Sequence, residues 1–184
     1  MKKKIVKLAL AGIILSMGLL SIYHFKRDIF VEPLECYLLE TNSESKSKYK
    51  LLLVSNAPYL KTNIKKGLER YFWKEISLDT LCFYDDFLIV YYRETKYLTR
   101  HFKEGNQYVP LYSHWDNTMD WRNHNKDRLG SIRLCRREDG TGLYSVIIEN
   151  SSCVFYIDSY KSIYIKKCKE LGIKKNDMGN DENC

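Results

Sequence analysis

A charge-free run near the start of the chain constrains its folding more than any other feature. The run covers 18 residues from Leu8 to Phe25. It is bounded by lysines and an arginine at Lys2, Lys3, Lys4, Lys7, Lys26 and Arg27. With a rise of ~1.5 Å per residue, a helix of this length would measure about 27 Å, close to the ~30 Å hydrocarbon core of a bilayer. We therefore expect residues 1–27 to act as a membrane anchor or signal segment.

Two alternatives to a retained anchor are a cleaved signal peptide and a lipoprotein signal. The small residues of Ser16-Met17-Gly18 could suit a cleavage site, but the apolar character continues through Ile22. A lipoprotein needs a cysteine directly after the apolar run, and the first cysteine is Cys36. A buried helix of a globular domain does not account for the lysine-rich start. A retained anchor is the interpretation that we favour.

The charge distribution predicts both the orientation and the class of partner. Four lysines precede the run, so the positive-inside rule predicts a cytoplasmic N-terminus. The remaining chain would then face the periplasm of a bacterial cell as part of a single-pass inner-membrane protein. The net charge is +7, yet residues 28–184 carry 24 Lys/Arg against 23 Asp/Glu. Because such a nearly neutral body lacks the field that attracts a phosphate backbone, we expect no nucleic-acid partner.

All six cysteines lie in the part that we expect to be exported. In an oxidising compartment an even number of cysteines favours disulfides, and the wide spacings lack the C-x-x-C pattern of zinc or redox sites. The pairing stays open, and Cys82 and Cys153 could instead be small buried apolar residues. The disulfide candidates are Cys36, Cys82, Cys135, Cys153, Cys168 and Cys184.

The pattern after the anchor predicts an α+β domain with a mainly antiparallel sheet and two helices. Its bounds are residues 28–173, followed by a polar tail over 174–184. One helix should begin near Thr62, and a second should start at Asp158 or Ser159 and end at Gly172. The apolar faces of these helices should be formed by Ile64, Leu68, Tyr71 and Phe72, and by Tyr160, Ile163, Tyr164, Cys168 and Leu171. Strands are expected at 35–40, 49–55, 87–92, 131–136, 143–149 and 153–157, with a further candidate at 97–102.

A long aromatic and polar loop is the first candidate for a functional site. The regular pattern fades between Gly105 and Gly130. Loops of this length in compact domains often bind partners, and Trp and Arg are typical anchors of protein interfaces. The alternative is that the tryptophans fill the core while the polar residues face solvent. The candidate partner-binding residues are Trp115, Asp116, Asp120, Trp121, Arg122 and His124.

The sequence offers little support for catalysis and none for a cofactor. It contains no G-x-S-x-G motif, no glycine-rich phosphate loop and no HExxH motif. A metal-dependent hydrolase using His114, Asp116, Asp120 and His124 is an alternative without a recognised ligand spacing. The pair Asp85-Asp86 is best explained as a turn before a strand, and the cluster Arg133, Arg136 and Arg137 as a solvated face.

Residues 73–104 contain two stretches that carry a resemblance. The first is Ile76-Ser77-Leu78-Asp79-Thr80, and the second is YRETKYLTR at 92–100, which follows an aromatic strand. This part of the chain resembles a group of small bacterial proteins that carry a lipoprotein signal or a membrane anchor and face the periplasm. The resemblance implies a compartment and an architecture, but no catalytic residues. The chain departs from the lipoprotein members because it lacks their lipid-accepting cysteine.

Taken together, these features predict a membrane-anchored periplasmic domain that binds another protein. An immunity-type role, in which the domain blocks a toxin, is the most specific version, by analogy with other small anchored periplasmic proteins. The alternatives are the envelope-associated hydrolase named above and a structural subunit of an envelope assembly.

Overall fold

The computed structural model describes residues 2–30, 32–96, 103–104, 107–108, 126–139, 141–148 and 151–174. Within these ranges it contains four helices: α1 (Lys2–Ile29), α2 (Lys61–Glu75), α3 (Leu78–Phe83) and α4 (Tyr160–Glu170). Eight strands accompany them: β1 (Cys36–Glu44), β2 (Ser47–Val54), β3 (Asp86–Arg93), β4 (Lys103–Glu104), β5 (Gln107–Tyr108), β6 (Arg128–Arg136), β7 (Gly142–Ile148) and β8 (Ser151–Ile157). The candidate strand at 97–102 and the polar tail from 175 onward lie outside these ranges.

Helix α1 is the apolar N-terminal segment, and its described side chains stay exposed along almost the whole helix. By length and composition it could cross a membrane. The backbone departs from helical geometry at Phe25, where φ is −103° and ψ is 16°. This kink falls at the last residue of the charge-free run, so the helix changes direction where its basic flank begins.

A six-stranded sheet in the order β1-β2-β3-β6-β7-β8 forms the centre of the domain. The α+β class is confirmed, but the expectation of a mainly antiparallel sheet is corrected to a mixed sheet. Strands β2 and β3 are parallel, with Val54 opposite Arg93, whereas the other four pairings are antiparallel. A parallel pair needs a long crossover, and α2 together with α3 supplies it. The periodicity of a helix does not reveal which direction the next strand takes.

The prediction of two helices after the anchor is also wrong, because α3 makes three. This helix has only six residues, and the Ser77 side chain caps it by accepting a hydrogen bond from the backbone N–H of Thr80. Its Leu78 and Leu81 are buried. A helix this short gives too few turns for a helical period to be recognised in sequence.

The apolar faces predicted for α2 and α4 are largely confirmed. Buried residues in these helices include Ile64, Leu68 and Phe72, and Tyr160, Ile163, Tyr164 and Cys168. Helix α4 is capped by Ser159 and followed by Gly172, whose φ of +64° is the left-handed conformation expected after a helix end. Helix α2, by contrast, has Leu60 as its N-cap and no capping side chain, so Thr62 does not cap it.

The core divides between the two faces of the sheet. Helices α2, α3 and α4 pack with the larger cluster, whose most buried large residues include Trp73, Phe72 and Tyr144. On strand β2, Leu52 and Val54 belong to this cluster, while Leu51 and Leu53 belong to a second one. Because neighbouring side chains on a strand point to opposite faces, the second cluster lies on the other face of β1–β3. Burial on both faces explains the continuous apolar run of β2.

Four of the six disulfide candidates are reduced thiols in the structure: Cys36, Cys135, Cys153 and Cys168. The first three lie on β1, β6 and β8, no two of which are adjacent. Strands two positions apart are separated by about 9.5 Å, beyond the ~7 Å Cα separation that a disulfide can bridge. Cys82, which packs against the core, is disulfide-bonded. For Cys184, outside the described residues, disulfide formation stays a prediction. The alternative of a buried Cys153 is wrong, because this residue is exposed.

The thiols should differ strongly in reactivity. Burial raises the pKa of the Cys36 thiol to about 12, and the Glu75 charge adds to this effect. Because the thiolate is the reactive form, we expect a maleimide at pH 7.5 to modify the exposed Cys153 first and Cys36 only slowly. Mass spectrometry of the labelled peptides measures both rates. Denaturation with guanidinium should make the two rates similar, whereas equal rates in the folded protein would contradict the described packing.

Candidate partner-binding site

The six residues predicted from sequence to bind a partner all lie outside the described ranges. They are Trp115, Asp116, Asp120, Trp121, Arg122 and His124. Their role, and the metal-site alternative that shares several of them with His114, therefore stays a prediction. Within the part of the chain that the structure describes, no group of three or more His, Cys, Asp or Glu side chains could hold a metal ion.

The edge strand β8 is the most exposed apolar feature of the described sheet. It is the last strand in the sheet order and pairs with β7. Val154, Phe155 and Tyr156 are 55%, 45% and 78% exposed. The strand sequence SSCVFYI contains no charged residue. Proteins usually protect sheet edges with charges, prolines or bulges, so an uncharged apolar edge is an unusual surface to leave open.

A cavity of about 430 Å³ lies between β8 and α4. Phe155 and Tyr144 line it from the sheet, and Ser162, Lys166 and Lys167 line it from the helix. The rings of Tyr144 and Phe155 are stacked, with centroids 6.0 Å apart and an interplanar angle of 23°. The cavity therefore combines an aromatic wall with two lysines and with the carboxylates of Asp158 and Glu170. Such a lining suits an apolar side chain that packs against the rings.

A buried polar network lies beneath this cavity and joins three elements. Tyr144 of β7 donates its hydroxyl proton to Glu69 of α2 over 2.9 Å. The indole N–H of Trp73 donates to the Tyr144 oxygen over 3.3 Å. Lys167 of α4 pairs with Glu69 at 3.3 Å and with Glu170 at 3.1 Å. The Glu69 carboxylate is thus supplied with both a hydrogen-bond donor and a counter-charge, as a buried charge requires.

The protonation states of the network follow from its surroundings. Burial, together with the Glu69 charge, raises the pKa of the Tyr144 hydroxyl well above its usual range. Burial lowers the pKa of Lys167, but Glu69 and Glu170 outweigh this effect and raise it overall. Tyr144 therefore remains a protonated donor and Lys167 a cation at neutral pH. Tyr144 and Lys167 both bind the Glu69 carboxylate, which lies between them.

The charged clusters noted in the sequence form ion pairs at one end of the sheet. Arg133 binds Asp86 through two hydrogen bonds of 2.8 and 2.7 Å. Arg136 lies 3.7 Å from Asp85 and stacks over the ring of Tyr160 at 4.9 Å. Asp85 directly precedes β3 and Asp86 begins it, so the acidic pair lies at the start of a strand. Arg133 is exposed, as the prediction of a solvated arginine face implies, but Arg133 and Arg136 are each paired with an aspartate.

Removing the Tyr144 hydroxyl tests the network against a matched control. We expect Tyr144→Phe to lower the free energy of unfolding by about 1–3 kcal/mol, because Trp73 and Glu69 lose a buried partner. Tyr91→Phe should be neutral or slightly stabilising. Among the described residues, the Tyr91 hydroxyl is a buried polar group with no hydrogen-bond partner. Urea unfolding at pH 7 measures both changes, and equal losses in the two variants would contradict the assignment.

The same network predicts how stability depends on pH. Tyr144 and Lys167 both have raised pKa values, so the unfolded chain loses these protons at lower pH than the folded chain. Stability should therefore fall as pH rises above about 10, where free tyrosine and lysine titrate. The fall should be shallower in Tyr144→Phe. Unfolding curves recorded between pH 8 and pH 11 measure this difference, and identical slopes would contradict it.

Comparisons with known proteins leave the function to be argued from the residues themselves. No protein-family model, curated protein or solved structure matches the chain. The resemblance of residues 73–104 to small anchored periplasmic proteins accordingly stays a prediction.

Proposed function

We propose that this protein is a membrane-anchored domain that binds another protein through β8 and the adjoining cavity. The observation that carries the proposal is the uncharged, apolar and exposed edge strand. Helix α1 would hold the domain at the membrane, with the sheet on the periplasmic side of a bacterial inner membrane. An immunity-type role, in which the bound protein is a toxin, is the most specific form of this proposal.

The binding mode would be the addition of a strand to the sheet edge. An extended segment of the partner can form main-chain hydrogen bonds with an open edge, while alternate side chains enter pockets that give specificity. Here Phe155 and the cavity lie on the side of β8 that faces α4. Val154 lies on the opposite side, because side chains alternate along a strand, and Tyr156 also borders the cavity. The preferred segment would place an apolar side chain in the cavity, against the rings of Tyr144 and Phe155.

The strand register supports access to a partner away from the membrane. Tyr156 lies opposite Leu143, which lies opposite Cys135, which lies opposite Asp86 at the start of β3. Arg93 ends β3 at the other end of the sheet. Its guanidinium lies 4.7 Å from the Tyr59 ring, which borders the same cavity as α1. The Tyr156 end of β8 is thus the end remote from the anchor.

Site-specific cross-linking in cells that express the full chain tests the proposal. A photoreactive benzoylphenylalanine at Tyr156 should give one discrete protein adduct after irradiation. The matched control is the same substitution at Phe83, which is 63% exposed and lies on α3 away from β8. That position should not give this adduct. Adding Val154→Lys should strongly reduce the Tyr156 adduct, because a charge at the edge opposes strand addition.

Three outcomes would count against the proposal. The absence of an adduct at Tyr156, in a chain that is folded and membrane-bound, would overturn it. Equal adducts from Tyr156 and Phe83 would show that the contact is unspecific. The alternative of a structural subunit predicts that replacing residues 1–27 with an unrelated anchor abolishes the adduct, whereas the proposed edge binding should survive that exchange.

A further inference from the structure

The end of α1 is attached to the start of α2 by a set of hydrogen bonds. The Asp28 carboxylate accepts from the backbone N–H groups of Tyr59, at 2.9 Å, and Leu60, at 2.8 Å. The Asn63 side chain donates to the same carboxylate over 3.2 Å and to the Asp28 carbonyl over 3.1 Å. Asp28 thus places a negative charge at the start of a helix that has no capping side chain of its own, where such a charge is favourable.

Arg93 holds the same segment from the side of the sheet. Its guanidinium donates to the carbonyl oxygens of Ala57, over 2.9 Å, and Pro58, over 2.6 Å. The guanidinium also lies 4.7 Å from the centre of the Tyr59 ring. Residues 57–60 are therefore attached both to the anchor helix and to strand β3. The domain and α1 meet at a bonded junction instead of a loose linker.

At this junction Tyr59 lies beside the apolar helix α1. A cavity of about 520 Å³ is lined by Tyr59 together with Met17, Leu20, Ser21, His24 and Phe25 of α1. These residues belong to the last part of the charge-free run, which would lie in the outer part of the bilayer. Tyr59 is 54% exposed, and the adjacent Leu60 is equally exposed. A turn of the globular domain therefore lies beside residues that the anchor would bury in lipid.

We propose that the Tyr59–Leu60 turn enters the headgroup region of the membrane that α1 spans, with lipid filling the cavity. This inference rests on the proposed role of α1 as an anchor. The cavity is continuous with the apolar run of α1, because five of its lining residues belong to that run. Both α1 and the Tyr59–Leu60 turn would therefore face the same leaflet, which identifies the occupant as the bilayer. Tyrosine favours the membrane interface, and leucine gains free energy when its side chain leaves water.

The charges around the turn suit a layer of lipid phosphates. Lys26 and Arg27 lie on the last turns of α1, Lys61 begins α2, and Arg93 lies against the Tyr59 ring. The nearest acidic side chain on α1, Asp28, is occupied by its hydrogen bonds to α2. Lys26 and Arg27 can extend toward headgroups while their stems pack on apolar surface, whereas Arg93 stays bound to the turn. Two contacts with the membrane, the helix and the turn, would restrict the tilt of the domain above the bilayer.

Tryptophan fluorescence of the full chain in nanodiscs tests this placement. Tyr59→Trp should add emission that lipids brominated near the headgroup quench, relative to the wild-type protein. The matched control is Phe83→Trp, a similarly exposed aromatic position that should add emission without quenching. Combining Tyr59→Trp with Asp28→Ala should weaken the quenching, because the turn then loses its hydrogen bonds to the Asp28 carboxylate and only the bond from Asn63 to the backbone carbonyl of residue 28 remains. Circular dichroism should show that each variant keeps its folded structure.

A third variant separates failure of this inference from failure of the anchor. Leu15→Trp places the probe near the middle of the charge-free run, where lipids brominated deep in the acyl chain should quench it. Quenching in Leu15→Trp without quenching in Tyr59→Trp would overturn the contact and leave the anchor intact. No quenching in Leu15→Trp would overturn the anchor itself. A second copy of the chain could fill the cavity instead of lipid. In that case the Tyr59→Trp emission would not be quenched, and it would shift to longer wavelength when nanodiscs with several chains are replaced by nanodiscs with one chain. This result would overturn the contact with lipid.

Discussion

The hydrogen bond between Tyr144 and Glu69 is the contact on which the arrangement of the helices over the sheet depends. It joins β7 to α2, and through Lys167 it extends to α4. A carboxylate beside Trp73 in the core is tolerable only with a donor and a counter-charge. Once these partners are in place, α4 is held beside the exposed edge strand. Two members of this network, Tyr144 and Lys167, also line the cavity between β8 and α4, so the network forms part of the proposed binding face.

A second constraint acts at the opposite end of the sheet. Asp28 and Arg93 attach residues 57–60 to α1 and to β3, so α1 is joined to the domain by hydrogen bonds. The strand register then places the Tyr156 end of β8 far from this junction. Under the proposed function, one end of the sheet would contact lipid and the other would face a partner. The two ends are linked by β3, whose Asp86 and Arg93 are both engaged in pairing contacts.

Features that depend on local periodicity could be predicted from the sequence. The apolar faces of α2 and α4, the Ser159 cap and the glycine after α4 follow from residues within a few turns of one another. Features that depend on partners distant in the chain could not be predicted. The sheet is mixed because β3 runs parallel to β2, and nothing in the sequence of β3 encodes that direction. The start of α2 is stabilised by Asp28, which lies more than thirty residues earlier, and not by the nearby Thr62.

The sequence alone determined that the chain begins with a helix suited to a membrane and continues as a nearly neutral α+β domain, because length, composition and period suffice for those statements. Only the tertiary structure decided that β8 is an edge strand, that Arg133 and Arg136 are paired, and that Glu69 is a buried acceptor. Each of these depends on which segments become neighbours. An apolar strand such as CVFYI has the same sequence pattern whether a neighbour covers it or not. Its exposure is decided by the order of strands in the sheet, and the free energy of packing the whole core sets that order.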